Sequence, residues 1–187
     1  MTDADPSSTD PSSTDPSSIC LVDGEVCVRS PRPSDRAALE RLFEDPLVER
    51  WWGRHDDARI TELLAGEAEV LGLVVERDGR LVGWIQVIEE ESAAYRHAGI
   101  DVATVAEVHG TGVPTRALTL VRDWLVGPKG HPRPTTAPAA SNDRAVAAYR
   151  KIGFRDVGVM RGYERTPDGS YHDALLMEFV VGVDEPA

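Results

Sequence analysis

The segment PAASNDRAVAAYRKIGF, residues 138–154, is the most informative part of the chain. Ser141 is a suitable N-cap for a helix, and Gly153 is suited to end that helix. Asn142 and Tyr149 are seven positions apart, so a helix with about 3.6 residues per turn places them on one face. The segment therefore predicts a short helix that presents an amide and a phenol on the same side.

Upstream, the stretch VHGTGVPT, residues 108–115, separates a predicted strand from a predicted helix. Exposed backbone N–H groups and the positive end of a helix dipole can bind a diphosphate there, and Gly110 and Gly112 would let the backbone approach it closely. The loop follows antiparallel strands and no Lys comes after its second Gly, which excludes a dinucleotide fingerprint and a P-loop. We expect an adenine-nucleotide carrier with a diphosphate; an ordinary tight turn is the competing interpretation.

Periodicity and turn signals predict the other elements around these two segments. Apolar runs and alternation predict strands near 25–29, 70–75, 81–88, 95–104, 133–137, 154–163 and 171–181. Helical spacing predicts helices near 35–44, 46–52, 56–65, 115–125 and 144–151. The order indicates an α/β (α+β) fold with a mixed, mostly antiparallel sheet of six to seven strands and about four to five flanking helices, not a doubly wound parallel sheet.

The chain of 187 residues has room for one domain of ordinary size. Its first 18 residues contain an Asp-Pro-Ser-Ser-Thr repeat that supplies no apolar side chain for a core. We expect residues 1–24 to be a disordered tail and residues 25–183 to form the folded domain.

The formal net charge is −12 at pH 7, which repels phosphate backbones and anionic membranes and favours cationic partners. Cys20 and Cys27 are the only cysteines; they are too few for a disulfide framework, and no His lies at zinc-ligand spacing, so no metal is expected. No apolar run approaches the ~18 residues of a membrane span, and the N-terminus does not have the composition of a signal peptide. We expect a cytoplasmic monomer or homodimer with neither a nucleic-acid nor a membrane partner.

Two motifs resemble those of the GNAT acetyltransferases. His109-Gly-Thr-Gly-Val-Pro114 is similar to the family's Gln/Arg-x-x-Gly-x-Gly/Ala loop, and residues 142–154 are similar to its Asn-x-x-Ala-x-x-x-Tyr-x-x-x-Gly-Phe segment. The resemblance implies a GNAT fold whose sheet is split between its fourth and fifth strands. It also implies acetyl-CoA as co-substrate and transfer of the acetyl group to an amine.

The resemblance assigns roles to individual residues. Asn142 would bind the pantetheine arm, and Tyr149 would protonate the departing sulfur. A thiol with a pKa of ~8.5 and a Tyr with a pKa of ~10 form a workable acid–leaving-group pair, although a buried Tyr often serves packing alone. The residues expected to contact the cofactor are Val102, Thr104, His109, Gly110, Thr111, Gly112, Val113, Pro114, Thr115, Asn142, Ala145 and Tyr149.

A narrower resemblance is to the aminoglycoside 6′-N-acetyltransferases. It is carried by Trp51-Trp52-Gly53, by Gly83-Trp-Ile-Gln86 and by Gly99-Ile-Asp101. By this resemblance Asp101 would bind the acceptor ammonium and accept its proton, and the other acceptor contacts would be Trp51, Trp52 and Gln86. Because neighbouring helical positions lie about 100° apart, we expect one tryptophan in the core and one at the site.

Three departures from the pattern of that branch leave alternatives open. Ala137 stands where an Asp is usual, which removes a carboxylate, and Pro114 has no N–H for a phosphate. A short interval before Gly110 could turn Asp101 to the other face of its strand. Glu89, Glu90 and Glu91 could replace the missing carboxylate, although such runs are usually solvated.

We therefore expect an acetyl-CoA-dependent N-acetyltransferase whose acceptor is a small cationic amine, in the first place an aminoglycoside 6′-amine. A lysine, peptide or siderophore amine is the alternative acceptor. A non-catalytic acetyl-CoA-binding module with a regulatory role is the alternative from another class.

Overall fold

A computed structural model describes residues 19–66, 70–166 and 169–182, which form a mixed sheet flanked by helices. The strands are β1 (Cys20–Asp23), β2 (Val26–Arg29), β3 (Leu71–Arg77), β4 (Arg80–Glu90), β5 (His97–Thr104), β6 (Pro134–Thr136), β7 (Arg155–Arg165) and β8 (Tyr171–Glu178). The helices are α1 (Arg36–Phe43), α2 (Pro46–Trp52), α3 (Asp57–Ala65), α4 (Val113–Val126) and α5 (Asp143–Lys151). Short 3₁₀ turns at Pro33–Asp35 and Ala106–Val108 precede α1 and α4.

The spatial order of the strands is β1-β2-β3-β4-β5-β6-β8-β7. Neighbouring strands are antiparallel except β5 and β6, which are parallel. This arrangement confirms the mixed, mostly antiparallel fold that the sequence predicts, with one strand more than expected. None of the helices in the described ranges is both long enough and apolar enough to cross a bilayer.

The additional strand is β1, and it corrects the predicted tail boundary. Cys20–Asp23 pair antiparallel with β2, and Leu21 packs against the core. The prediction of a tail over 1–24 was therefore wrong for these residues, because a short apolar pair beside a turn is enough to add an edge strand to an existing sheet. Residues 1–18 and residue 183 lie outside the described residues.

Two clusters of buried side chains cover the two faces of the sheet. On one face, α4 and α5 pack against the central strands, with Leu118 and Val121 fully buried. On the other, α1 and α3 bury Leu39 and Phe43 against Trp84 of β4. Because β4 is covered on both sides, Val82, Gly83, Trp84 and Ile85 form a continuous buried run, as expected for a strand that is buried on both faces.

A buried ion cluster joins β2, β3 and the start of α1. The guanidinium of Arg29 donates to both carboxylate oxygens of Asp35 at 2.8 Å, and its Nε donates to Glu76 at 2.9 Å. Arg29 is only 6% exposed. The hydrogen bonds from Arg29 hold the pKa of Asp35 below its ordinary value, so the carboxylate stays ionised in the fold.

The sheet opens between β5 and β6, which are the fourth and fifth of the predicted strands, as the resemblance implies. Only two residue pairs join these strands, Ala98 with Pro134 and Gly99 with Thr135. Strand β6 has three residues and is followed closely by Pro138, which has no N–H for a sheet ladder. Beyond Gly99 the two strands diverge, and their unpaired edges border a cleft.

Candidate active site

Two adjoining cavities occupy the divergence of β5 and β6. The loop-side cavity, of about 630 Å³, borders the turn before α4 and runs along α5. The strand-side cavity, of about 520 Å³, lies between β5, β6 and the β7–β8 hairpin. Both are lined by Trp51, Trp52, Val102, Asn142 and Ala145. These shared walls make the two cavities one continuous cleft through the split in the sheet.

The loop-side cavity ends on a turn that offers unpaired amides. Gly110 and Gly112 adopt φ values of 76° and 89°, which favour glycine. In the part of the chain that the structure describes, the N–H groups of Gly110, Gly112 and Thr115 have no hydrogen-bond acceptor. All three residues line the cavity at the positive end of α4. This turn fits a diphosphate, although Pro114 contributes no donor.

Two of the predicted cofactor residues, Thr111 and Val113, instead stabilise the turn itself. The Thr111 hydroxyl donates to the carbonyl of Val108 at 2.8 Å and accepts from the N–H of Val113 at 3.3 Å. Val113 is fully buried in the core. Neither Thr111 nor Val113 lines the cleft, because the Thr111 side chain faces solvent and the Val113 side chain faces the core.

His109 bridges the turn to its neighbours. Its Nε2 lies 3.2 Å from the Thr104 hydroxyl, and its Nδ1 lies 2.6 Å from Nη1 of Arg144. Burial, and after it the positive charge of Arg144, lowers the pKa of His109. The imidazole is therefore neutral near pH 7 and accepts the Arg144 hydrogen bond at Nδ1.

Asn142, rather than Ser141, is the N-cap of α5. Its side-chain oxygen accepts from the N–H of Ala145 at 3.2 Å. Because the oxygen is occupied, the amide NH₂ is the group that remains to donate into the cleft. Asn142 and Ala145 line both cavities, where they follow the predicted path of a pantetheine arm.

Tyr149 is buried, with its hydroxyl at the split. The residue is 2% exposed, and its ring packs edge-on against Phe154 at 5.5 Å between centroids. The hydroxyl donates to the carbonyl of Ile100 at 3.1 Å, one residue beyond the last pair that joins β5 to β6. Burial, and after it the negative charge of Asp101, raises the pKa of Tyr149 above its ordinary value. The phenol therefore keeps its proton at the wall of the strand-side cavity, and the same rise in pKa makes it a weaker acid than a free tyrosine.

Asp101 points into the same cavity. It pairs with Gln86 across β4 and β5, and the Gln86 amide donates to its carboxylate at 3.4 Å. Burial raises the pKa of Asp101, the Gln86 hydrogen bond opposes that shift, and the charge of Glu164 adds to it. Both Asp101 and Gln86 line the strand-side cavity, so the short interval before Gly110 has not turned Asp101 away.

Comparison with known proteins identifies the family. The model of the acetyltransferase (GNAT) domain matches residues 25–155, which include the turn, the split and α5. The chain belongs to the GNAT acetyltransferase family. It is therefore an N-acetyltransferase with acetyl-CoA as co-substrate, and the unpaired amides of the turn fit that cofactor. This assignment disfavours the non-catalytic module.

Solved GNAT structures share the fold across most of the chain. RimJ of Mycobacterium smegmatis, in complex with CoA-disulfide, is 24% identical, with a TM-score of 0.76 over 88% of this chain and 87% of that one. The aminoglycoside acetyltransferase AAC(6′)-Ib, in complex with coenzyme A, is 24% identical, with a TM-score of 0.68 over 83% and 95%. Spermidine N-acetyltransferase from Vibrio cholerae, in complex with CoA and spermine, is 19% identical, with a TM-score of 0.72 over 84% and 96%.

The two tryptophans do not divide between core and site. Both are partly exposed, and both line the two cavities of this GNAT fold. Trp52 also packs against Phe43 at 6.0 Å between centroids, and the guanidinium of Arg50 lies 4.8 Å from the ring of Trp51. The expectation of one buried tryptophan was wrong because α2 ends at Trp52 and leaves its last turn beside the cleft.

Sequence reasoning missed the outer wall of the strand-side cavity. The β7–β8 hairpin supplies this wall, and Glu164 there lies 3.1 Å from Nε2 of His172. The hairpin residues that line the cavity are Met160, Tyr163, Glu164, His172 and Leu176. The exposed residues of β7 show no clear apolar alternation, so no pattern in the sequence marks the face that borders the cleft.

The acids proposed as replacements at Ala137 lie elsewhere. Ala137 lines the strand-side cavity. Glu89 instead contacts His131 at 2.6 Å and Lys129 at 3.1 Å. None of the three glutamates at 89–91 lines either cavity, so Glu164 is the acid that lines the strand-side cavity together with Asp101.

Proposed function

We propose that this GNAT enzyme transfers an acetyl group directly to a primary amine of a small cationic molecule, with an aminoglycoside 6′-amine as the first candidate. The observation that carries the proposal is the carboxylate pair of Asp101 and Glu164, which faces one cavity beside the split. Trp51 and Trp52 add aromatic faces that attract ammonium groups and pack on sugar rings. A polycationic, ring-bearing amine matches this lining.

Asp101 and Tyr149 divide the proton transfers between them. Acetyl-CoA supplies the activated acetyl group. Asp101 binds the acceptor ammonium and, directly or through a water molecule, takes the proton that must leave before the nitrogen has a lone pair with which to attack the thioester. The nitrogen loses its second proton to solvent when the tetrahedral adduct collapses to the amide. The raised pKa of Asp101 makes it a stronger base than an ordinary aspartate. The Tyr149 hydroxyl gives its proton to the departing sulfur, which leaves as a neutral thiol.

Direct transfer is favoured over an acyl-enzyme. A covalent route needs a nucleophile beside the cleft. Cys20 and Cys27 lie on β1 and β2 at the far edge of the sheet, and neither lines a cavity. The amine is therefore the nucleophile that attacks the thioester.

A second candidate acceptor is the amine of a lysine, a peptide or a siderophore. Ala137 leaves the acceptor region with two carboxylates, and one of these, Glu164, already contacts His172. A monoamine needs only one carboxylate partner and therefore also fits this site, whereas a polycation gains from several carboxylates. Lysine-bearing acceptors therefore belong in the same test.

The test follows thiol release from acetyl-CoA with three groups of acceptors: kanamycin-like aminoglycosides, polyamines and lysine peptides. Aminoglycosides should give the highest kcat/KM, and Asp101→Asn should lower it by about 10²-fold or more. A matched control is Asp156→Asn, because Asp156 is ion-paired with Arg150 outside the cleft. If lysine peptides react while aminoglycosides stay inert, the acceptor assignment is wrong and the second candidate replaces it.

A further inference from the structure

Cationic side chains gather along the loop-side cavity of an otherwise acidic chain. The net charge of the chain is −12. Arg50, Arg144 and Lys151 nevertheless line this one cavity, with Asp143 as the opposing carboxylate. A cluster of cations against the prevailing charge indicates an anionic ligand with more than one charged group.

Arg144 is the cation that reaches the turn before α4. Its Nη1 lies 2.6 Å from Nδ1 of His109, the first residue of that turn motif. The motif contains no Lys or Arg, and Pro114 deprives it of one N–H donor. The Arg144 guanidinium has further N–H groups beyond the one that contacts His109. It can therefore supply charge-assisted hydrogen bonds to a diphosphate bound at this turn.

Lys151 extends the same row of charge along α5. It lies seven residues after Arg144, which corresponds to about 10 Å along a helix and to the same face. Lys151 is exposed, lines the loop-side cavity and has no ion-pair partner among the residues that the structure describes. The neighbouring Arg150 differs, because it is paired with Asp156 and does not line the cavity.

We propose that Arg144 binds the diphosphate of acetyl-CoA and that Lys151 binds the 3′-phosphate of its adenosine end. Coenzyme A carries these two phosphate groups on either side of one ribose, and the two cations stand in the same order along α5. The proposal rests on the acetyl-CoA co-substrate alone and is independent of which amine accepts the acetyl group. Through this contact, Lys151 makes the enzyme bind coenzyme A more tightly than analogues without the 3′-phosphate.

The experiment measures dissociation constants by calorimetry, without any acceptor, for coenzyme A and for 3′-dephospho-coenzyme A. For Lys151→Gln we expect the constant for coenzyme A to rise about tenfold, the scale of one lost hydrogen bond to a charged group, with that for the dephospho form unchanged. For Arg144→Gln both constants should rise by a similar factor. Arg150→Gln, a charge change on the same helix outside the cavity, should alter neither.

A further variant separates contact with the cofactor from support of the turn. His109→Ala removes the partner of Arg144 and keeps the guanidinium, so it should weaken binding less than Arg144→Gln if Arg144 contacts phosphate. Equal losses in the two variants would mean that Arg144 only positions the turn. If Lys151→Gln weakens both ligands equally, or neither, the 3′-phosphate assignment is refuted. Thermal unfolding of each variant checks that the fold is intact.

Discussion

Replacement of Tyr149 by Phe tests the proton-donor role at the level of a single atom. The ring stays in its packed position against Phe154, and the hydroxyl that donates to the Ile100 carbonyl at 3.1 Å is lost. Two effects follow from the structure. The carbonyl loses a buried partner, and the departing sulfur loses its acid.

The two effects have different magnitudes and different readouts. A buried acceptor left without a partner costs about 1–3 kcal/mol of unfolding free energy, which for a domain of this size lowers Tm by about 2–4 °C per kcal/mol. Loss of a positioned acid lowers kcat by about 10²–10⁴-fold. Affinity for acetyl-CoA should change little, because Tyr149 does not line the loop-side cavity.

The assay follows thiol release at saturating acetyl-CoA, with Tyr95→Phe as control because Tyr95 is 76% exposed and outside both cavities. An acetyl donor whose thiol is much more acidic needs less help from an acid, so it should reduce the difference in kcat between wild type and Tyr149→Phe. If Tyr149 served packing alone, that difference in kcat would not change. Reduced stability with kcat within about threefold of wild type would refute the reasoning, because the expected loss for an acid is far larger.

Three further perturbations follow from the fold and the site. The pKa of Asp101 is raised in the fold, so its contribution to stability is present below the pKa of the unfolded chain and is lost as pH rises through the pKa of the folded protein. Asp101→Asn should therefore raise Tm at pH 7 while it lowers kcat. An unchanged Tm would contradict the argument that burial raises the pKa of Asp101. Arg29→Met leaves Asp35 and Glu76 buried without their cation and should cost about 3–5 kcal/mol in urea unfolding, whereas Arg77→Met, at an exposed pair with Glu25, should cost little. Burial raises the pKa of Cys27 to about 11, so at pH 8 iodoacetamide should modify the exposed Cys20 first; mass spectrometry of the peptides would show the order, and faster modification of Cys27 would count against it.

Local sequence patterns predict much of the fold. Asp78-Gly79, a two-residue signal for a hairpin turn, joins β3 and β4, and α4 and α5 lie close to their predicted positions. Those elements depend on turn chemistry and helical periodicity, which operate over a few residues. Strand β1 was not predicted from the sequence because its stability comes from pairing with β2 and not from its own composition.

The residues of the site also fall into two groups, those that local patterns predict and those that depend on pairing between distant strands. Asn142, Ala145 and Tyr149 meet in one cleft because a single helix carries them. Glu164 and His172 meet Asp101 through the register of three separate strands, and β7 contains irregular register against β8 at two places. A bulge changes which side chains face the cavity, so their position depends on long-range pairing that the sequence pattern does not encode.

The β7–β8 hairpin has a consequence for how the strand-side cavity is built. The GNAT domain match ends at residue 155, whereas the outer wall of the strand-side cavity lies between residues 160 and 176. The strand-side cavity is thus built from two stretches of polypeptide, one inside the matched region, which carries Asp101, and one beyond it, which carries Glu164. If the proposed acceptor site is right, replacement of residues 160–176 changes one wall of that site and leaves the turn before α4 and helix α5 in place.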